Sequence, residues 1–328
     1  MKIQMQWGLA ALGLWSALAS GSINYGEHAA ARLLVDELVA EQGLDRERLL
    51  QVLSQAQRQE SILEAIARPA EKAKPWHEYR QIFLTEQRTR EGLEFYARHR
   101  ETLQRAEAET GVPASVIVAI IGVETYYGRI AGSYRVIDAL STLAFDYPRR
   151  SAFFSKELKN YLILTEEQGM DPLAMKGSYA GAMGYGQFMP SSYRSYAVDF
   201  DGDGVTDIWN NPVDAIGSVA NYFKRHGWRS GETVVVAAEP GPEVPAEWFN
   251  AGLVPERTVA EFVEAGLQPG RELDPGARAT AIRFELAEGH EHWLGLHNFY
   301  VITRYNHSAM YAMSVFQLSE RLAAGIDQ

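Results

Sequence analysis

Hydrophobic residues over the first two thirds of the chain recur with helical spacing. In residues 24–68, Leu34 and Leu38 belong to a series that falls on one face, and residues 78–110 repeat the pattern with many charges. This spacing predicts amphipathic helices with one solvated side. Further helices are predicted over 134–145, 151–167, 213–226 and 309–324.

One stretch differs because it is apolar nearly all round. Residues 114–127 carry few polar side chains, and the stretch is bounded by Pro113 and Gly128. Proline suits the first turn of a helix, and glycine is a common stop. We therefore predict a buried helix between these two residues.

The pattern changes after Trp228, where short β-like runs replace the helical spacing. Runs at 233–238, 280–286, 293–296 and 300–305 are rich in β-branched or aromatic residues, with a proline-bearing loop after the first. They predict a small lobe with strands. The fold class expected for the whole chain is α+β, mainly α.

Composition narrows the choice of function. The 328 residues carry 31 Lys and Arg against 42 Asp and Glu, a formal net charge of −11. Nucleic-acid binders usually present a basic face, so we expect no nucleic-acid partner. Cysteine is absent, which excludes disulfides, thiolate nucleophiles and a lipid-modified cysteine.

The N-terminal residues have the pattern of an export signal. After Lys2, residues 7–18 form an apolar run, and Ala17-Leu18-Ala19 follows as a small-x-small cleavage site. A weakly positive start, a short apolar region and such a site define a secretory signal peptide. The alternative is an uncleaved N-terminal anchor.

Glu124 is the first candidate for catalysis. It lies near the end of the apolar helix, where burial and the negative end of the helix dipole both favour a protonated carboxyl group. A carboxylic acid that keeps its proton near neutral pH can protonate the leaving oxygen of a glycoside. From position alone, a Glu paired with an Arg or capping a loop is the alternative.

A second candidate is the loop at 177–190, which combines glycines, two tyrosines and Gln187 without regular spacing. Glycine lets the backbone approach a ligand, and aromatic rings stack on the apolar faces of sugars. The loop also lacks the Lys-Ser/Thr ending of a phosphate-binding loop. A sugar-binding cleft and a tight structural loop both fit this composition.

A third candidate is an acidic loop beginning at Asp199. Asp199, Asp201 and Asp203 occupy positions 1, 3 and 5 of an EF-hand loop, with glycine at position 6. Position 12 departs from the pattern because it is Asn210 rather than Glu. Asp214 could close the site from the next helix, and Asp207 could bind directly or through water. A solvated acidic turn is the alternative.

These features in this order resemble the membrane-bound lytic murein transglycosylase B family of Gram-negative bacteria. The resemblance rests on VETYYG at 123–128, GAMGYGQFMP at 181–190, VDAIGSVANY at 213–222 and ITRYN at 302–306. It covers most of the chain beyond residue 25. Several family members carry a lipid-anchor cysteine that this chain lacks, so the chain resembles the soluble, periplasmic branch.

The resemblance implies a lysozyme-like catalytic core, an accessory helical lobe and a small α/β lobe, with Glu124 as the single catalytic residue. It implies structural calcium in an enlarged EF-hand-like loop. The implied ligands are Asp199, Asp201, Asp203, the Val205 carbonyl and Asp214, with Asp207 as a further candidate. The implied substrate-binding residues are Ser178, Gln187, Tyr305, Asn306, Tyr311, Arg149, Arg150 and Tyr79.

The pattern and the resemblance together predict five segments. They are a signal peptide at 1–19, an N-terminal helical lobe at 20–76, a catalytic core with the calcium loop at 77–231, a small α/β lobe at 232–298 and a C-terminal segment at 299–328 that returns to the core. We expect a periplasmic monomer that acts on peptidoglycan glycan strands. Proteins of cell-wall synthesis or remodelling are further candidate partners.

The expected reaction follows from the resemblance and from a missing second acid. No second carboxylate accompanies Glu124 in the cleft motifs, whereas retaining and inverting glycosidases use two. A single acid can suffice if the substrate's N-acetyl group and C6 hydroxyl supply the nucleophiles. This route is lytic transglycosylation. The alternatives are a hydrolytic muramidase and a non-catalytic, calcium-stabilised cell-wall binding protein.

Overall fold

The computed structural model describes residues 24–67 and 74–326. The predicted signal peptide at 1–19 lies outside the described residues. The α-helices are α1 (Ala29–Gln42), α2 (Arg46–Ser54), α3 (Glu60–Ala67), α4 (Trp76–Phe83), α5 (Glu86–Arg98), α6 (Arg100–Thr110), α7 (Ala114–Thr125), α8 (Val136–Asp146), α9 (Ser151–Glu167), α10 (Pro190–Tyr196), α11 (Pro212–Arg225), α12 (Val259–Glu264), α13 (His297–Tyr305) and α14 (Ala309–Ile326).

The strands form one small and one larger antiparallel sheet. They are β1 (Tyr134–Arg135), β2 (Lys176–Gly177), β3 (Val235–Pro240), β4 (Arg257–Thr258), β5 (Leu267–Pro269), β6 (Arg278–Glu285) and β7 (His290–Gly295). β1 pairs with β2, and the five-stranded sheet has the order β4-β6-β7-β3-β5. This is the mainly helical α+β class predicted from the sequence.

The core around α7 carries the catalytic candidate. α7 is buried along almost its whole length, and it packs against α14, α5, α6 and α11. Its residues Ile117, Ile120 and Ile121 have no exposed surface. Burial of such side chains stabilises the fold by about 1.5–3 kcal/mol each. The apolar pattern of 114–127 therefore predicted the central helix correctly.

A second core joins the N-terminal helices to the middle of the chain. Leu38 and Leu53 from α1 and α2 share one hydrophobic cluster with Leu143 and Leu158 from α8 and α9. A third, smaller cluster fills the small lobe around Phe262. The predicted segment boundaries at 76, 231 and 298 stay predictions.

One predicted strand is wrong. Residues 300–305 are helical because they belong to α13. Val301, Ile302 and Thr303 are β-branched, so they favour a strand locally. In the fold all three are buried, and α13 packs against α14. Tertiary packing therefore overrides the local preference.

The other predicted elements are present with shifted bounds. The helical stretch 24–68 contains three helices, and 78–110 contains three more. The predicted strands at 233–238, 280–286 and 293–296 correspond to β3, β6 and β7. Over residues 24–67 and 74–326, no single helix is long and apolar enough to cross a membrane, although one bent pair, Arg100–Thr110 with Ala114–Thr125, meets those criteria jointly.

Candidate active site

Glu124 lies one residue before the end of α7, where the backbone turns sharply. Tyr126 and Tyr127 have φ of 53° and 61°, and Gly128 follows with φ of 86°. Left-handed conformations are uncommon for bulky side chains, and such strain concentrates at functional sites. The turn stops the helix so that the partly buried Glu124 side chain sits at its final turn.

Thr125 joins this turn to the glycine-rich loop. Its hydroxyl donates to the Tyr185 carbonyl at 2.9 Å and accepts the Gly128 N–H at 2.9 Å. A Cβ at residue 128 would lie 2.1 Å from a ring carbon of Tyr185. Gly128 is therefore required for the close approach of the 177–190 loop to the end of α7.

A tyrosine from the C-terminal helix orients Glu124. The Tyr311 hydroxyl donates to Glu124 Oε1 at 2.5 Å. Burial, then the charge of Glu124, raises the pKa of Tyr311 well above its usual value, and Tyr79 adds a smaller contribution. Tyr311 therefore stays protonated as a donor near neutral pH, and the structure brings Tyr79, Tyr311 and Glu124 together.

Tyr305 connects the same carboxylate to the loop. Its hydroxyl donates to the Gly186 carbonyl at 2.6 Å. Burial, followed by the charge of Glu124, raises the pKa of Tyr305 well above its usual value. Since Glu124 acts electrostatically on both Tyr305 and Tyr311, two tyrosines from α13 and α14 flank the carboxylate.

Ser178 and Gln187 hold the loop in shape. The Ser178 hydroxyl accepts the N–H groups of Ala180 and Ala182 at 3.3 and 3.1 Å. Gln187 has φ of 52°, and its amide donates to the carbonyls of Ala131 and Gly184 at 3.1 and 3.0 Å. The strained backbone of a glutamine is consistent with a functional position.

The remaining predicted cleft residues differ in how far they are buried. Asn306 is half-buried and directly follows Tyr305 at the end of α13. Arg149 and Arg150 are exposed on a short 3-10 helix between α8 and α9, where Arg150 lies 4.3 Å from the ring centre of Phe153. Their role at the peptide-bearing side of the substrate stays a prediction.

Sequence reasoning missed Arg88, which lies on α5 and is only 8% exposed. Its guanidinium donates to the Gly122 carbonyl in the last turns of α7, and it lies 4.2 Å from the ring centre of Tyr126. Its own carbonyl accepts the Tyr127 hydroxyl at 2.8 Å. An arginine in a charged helix gives no sequence sign of such contacts.

The acidic loop brings three carboxylates together. Oxygen atoms of Asp199, Asp201 and Asp214 all lie within 4.8 Å of one another. Asp214 comes from α11 and is fully buried, and its two oxygens accept the N–H groups of Phe200 and Asp207 at 2.7 and 2.8 Å. Burial raises the pKa of Asp214, and the charges of Asp201 and Asp199 add to the effect.

Other residues of this loop stabilise its turns. Asp203 Oδ1 accepts the Val205 N–H at 2.8 Å. Asp207 Oδ1 accepts the N–H groups of Trp209 and Asn210, both at 2.9 Å. Asp203 and Asp207 lie outside the group of three carboxylates found among the described residues.

The donor set fits a hard cation. Calcium prefers carboxylate and carbonyl oxygens, and three aspartates, one of them buried, meet here. Within residues 24–67 and 74–326, no Lys, Arg or His forms an ion pair with Asp199, Asp201 or Asp214. A buried carboxylate without a cationic partner costs free energy, so a bound cation would stabilise this arrangement.

Comparison with known proteins assigns the chain to a family. The family model of the transglycosylase SLT domain matches residues 27–320. Membrane-bound lytic murein transglycosylase B of Escherichia coli K12 is 45% identical over 303 residues, which cover 89% of this chain and 82% of that protein.

Solved structures give the same assignment. Lytic transglycosylase SltB1 from Pseudomonas aeruginosa aligns with a TM-score of 0.88 at 51% identity, covering 92% of this chain and 99% of that chain. Escherichia coli Slt35 in complex with calcium aligns at 0.84 and 44% identity, covering 94% and 96%. Pseudomonas aeruginosa SltB3 in complex with NAG-anhNAM-pentapeptide aligns at 0.78 and 32%, covering 89% and 78%.

The fold and these matches define a lytic transglycosylase with a lysozyme-like architecture. The chain belongs to the transglycosylase SLT domain family, in which membrane-bound lytic murein transglycosylase B is a relative over most of its length. The predicted family, fold class and enzymatic character are confirmed. The non-catalytic binding protein considered from the sequence is therefore not supported.

Proposed function

We propose that the chain cleaves the β-1,4 bond between N-acetylmuramic acid and N-acetylglucosamine in peptidoglycan without water, leaving 1,6-anhydro ends. The observation that carries this proposal is the position of Glu124 at the strained end of α7, bonded to Tyr311. A relative of the same family, SltB3, is described in complex with NAG-anhNAM-pentapeptide, an anhydro sugar of the kind proposed here.

Glu124 would act twice. As an acid, it would donate its proton to the glycosidic oxygen while the N-acetyl group of the muramic acid assists departure. As a base, it would then take the proton of the C6 hydroxyl, which closes the anhydro ring on C1. The Tyr311 hydrogen bond fixes the rotation of the carboxyl group, as a general acid–base residue requires.

The surrounding residues would bind the sugars. Tyr79, Tyr305 and Tyr311 would offer aromatic rings and hydroxyls beside the carboxylate, and the 177–190 loop with Ser178 and Gln187, to which Tyr305 is bonded, would add a further wall. Asn306 would contribute from the end of α13. Arg149 and Arg150 would meet the peptide-bearing side of the strand. Such a wall would exclude water from the ring-closing step.

Digestion of peptidoglycan in heavy-oxygen water tests the reaction. A lyase should leave no label at the new sugar ends, and its products should be lighter than the reducing-end products of hydrolysis by one water. Mass spectrometry of the released muropeptides measures both properties. A parallel digestion of peptidoglycan with a hydrolytic muramidase should give labelled reducing ends.

The same experiment distinguishes a transglycosylase from a hydrolytic muramidase. Predominantly labelled, reducing-end products from this chain would mean that water reaches the anomeric carbon. The hydrolytic muramidase would then replace the transglycosylase proposal.

We propose that the acidic loop binds structural calcium, with Asp199, Asp201, Asp203, the Val205 carbonyl and Asp214 as ligands, and with Asp207 contributing directly or through water. The grouping of Asp199, Asp201 and Asp214 supports this assignment, and so does the calcium complex of the relative Slt35. The ion would neutralise the carboxylates and hold the loop on α11. It would take no part in the chemistry at Glu124.

Chelation should lower the melting temperature. An ion at 100 times its Kd stabilises the native state by about 2.7 kcal/mol, which corresponds to roughly 5 °C or more for a domain of this size. Thermal melts with calcium and with chelator measure the shift. Asp201→Ala should abolish it, whereas Asp274→Ala, in an exposed turn of the small lobe, should keep it. A wild-type melt that ignores chelator would contradict the assignment.

We propose that the protein acts in the periplasm as a monomer after cleavage of residues 1–19, with peptidoglycan strands as its substrate. The relatives are named as lytic murein transglycosylases, which supports a cell-wall location. The five predicted segments, the soluble branch and an association with cell-wall synthesis or remodelling proteins belong to the same proposal.

A further inference from the structure

Three distant parts of the chain line an open pocket beside the proposed catalytic cleft. Its volume is about 350 Å³. It is lined by residues 74–76 at the start of α4, by Asn250 and residues 283–285 of the small lobe, and by residues 308–310 at the start of α14. No residue assigned above to the catalytic, sugar-binding or calcium sites lines it.

Two helices place this pocket next to Glu124. Trp76 lines the pocket, and Tyr79, three residues further along α4, belongs to the group around Glu124. Ser308 also lines the pocket, and its hydroxyl accepts the N–H of Tyr311 at 3.2 Å. Three residues make about one turn, a rise of roughly 5 Å, so the pocket lies about one turn from the partners of the catalytic carboxyl group.

The walls of the pocket are held in place. Trp76 stacks on Phe284 with ring centres 4.7 Å apart, and its indole N–H donates to Glu291 at 2.5 Å. Asn250, with φ of 58°, donates to the Arg283 carbonyl at 2.9 Å and accepts the Arg283 N–H at 3.0 Å. These contacts fix α4 and the end of β6 relative to each other.

The polar lining favours an anionic group. Lys74 and Arg283 face one acid, Glu285, and all three are exposed. Lys74 forms an ion pair with Glu78, with 3.5 Å between its Nζ and the carboxylate oxygen. Arg283 forms no ion pair with any described residue. The chain as a whole has a net charge of −11, which repels anions, so a carboxylate would need such a local arginine.

We propose that this pocket binds the carboxylates of a stem peptide carried by a muramic acid residue next to the cleaved bond, a different peptide from the one that Arg149 and Arg150 would meet. The inference rests on the proposed function because it needs the glycan strand in the adjacent cleft. The peptide is the strand's main source of carboxylates, whereas the sugar rings are neutral and suit the tyrosines around Glu124. Arg283 would hold a carboxylate by charge-assisted hydrogen bonds.

Binding to the Glu124→Gln variant tests this pocket without turnover. Calorimetry would compare a disaccharide–tetrapeptide muropeptide with the same disaccharide whose lactyl group carries a neutral amide in place of the peptide. We expect the peptide-bearing ligand to bind roughly tenfold tighter. Combining Glu124→Gln with Arg283→Glu should remove most of this preference for the peptide-bearing ligand. Combining it with Arg283→Gln should reduce the preference less. Arg271→Glu, the same charge change at another exposed arginine of the small lobe, should keep it.

Three results would overturn the proposal. The first is equal affinity for both ligands before any pocket substitution. The second is an unchanged ratio in Arg283→Glu. The third is an equal loss of affinity for the peptide-free ligand, which would make the pocket a sugar subsite. If the wild-type protein formed no anhydro ends but the affinity ratio of the two ligands were as expected, the proposed reaction would be refuted. The proposal for the pocket would then be unaffected.

Discussion

Glu124→Gln is expected to abolish cleavage of peptidoglycan while leaving the fold intact. The amide keeps the shape of the side chain and an oxygen that can accept the Tyr311 hydroxyl, but it has no proton to transfer. Loss of a general acid–base residue lowers rates by roughly 10²–10⁴-fold. Because the proposed mechanism uses this one group in both steps, we expect the upper end of that range. Release of muropeptides from purified sacculi measures the loss.

The matched control is Glu101→Gln, which makes the same change at an exposed glutamate on α6. It should retain wild-type activity. Both variants should melt within about 1 °C of the wild type, since neither substitution changes packing volume. Near wild-type release of muropeptides by Glu124→Gln would show that another group supplies the proton.

The helix that carries Glu124 could be predicted because its signals are local. A fully apolar stretch with one glutamate, bounded by Pro113 and Gly128, specifies a buried helix and an unusual carboxyl group at once. The acidic loop is equally local in its first three carboxylates. Asp214, fifteen residues after Asp199, lies in the first turn of the next helix, α11, and joins Asp199 and Asp201 there.

The partners of Glu124 could not be derived from local pattern. Tyr79 and Tyr311 lie far from it in sequence, and only the packing of α4 on α14 and of α14 on α7 brings them together. The resemblance to a family identified these tyrosines, but it carried no geometry. The short elements α12, β4 and β5 were missed because two to six residues give too little periodicity to recognise.

Arg88 illustrates most clearly what pattern alone cannot reveal. Its guanidinium bonds to the Gly122 carbonyl two residues before Glu124 and stacks on Tyr126 two residues after it. The same group donates to the Ile82 carbonyl at 3.3 Å. Burial lowers the pKa of Arg88, so its charge is retained at a cost in desolvation. Because Arg88 lies near the C-terminus of α7, the negative end of the helix dipole offsets part of that cost.

Arg88→Met is therefore expected to impair both stability and catalysis. The Gly122 and Ile82 carbonyls each lose a charged donor, and a hydrogen bond to a charged group contributes about 1.5–3 kcal/mol. The left-handed turn at Tyr126 and Tyr127 also loses a support, so Glu124 should shift relative to the substrate. A misplacement of about 1 Å can cost roughly 10²-fold in rate. We expect kcat to fall by roughly tenfold to a hundredfold with little change in KM, measured at a temperature where the variant is fully folded.

The comparison with Arg88→Lys separates positioning from bulk stability. Lysine keeps the charge but lacks the planar fork that serves two carbonyls and stacks on a ring. It should recover most of the melting temperature and only part of kcat. Arg90→Met, at an exposed position of the same helix, should change neither. If Arg88→Met lowered the melting temperature but kept the wild-type kcat, the arginine would support the fold without positioning Glu124.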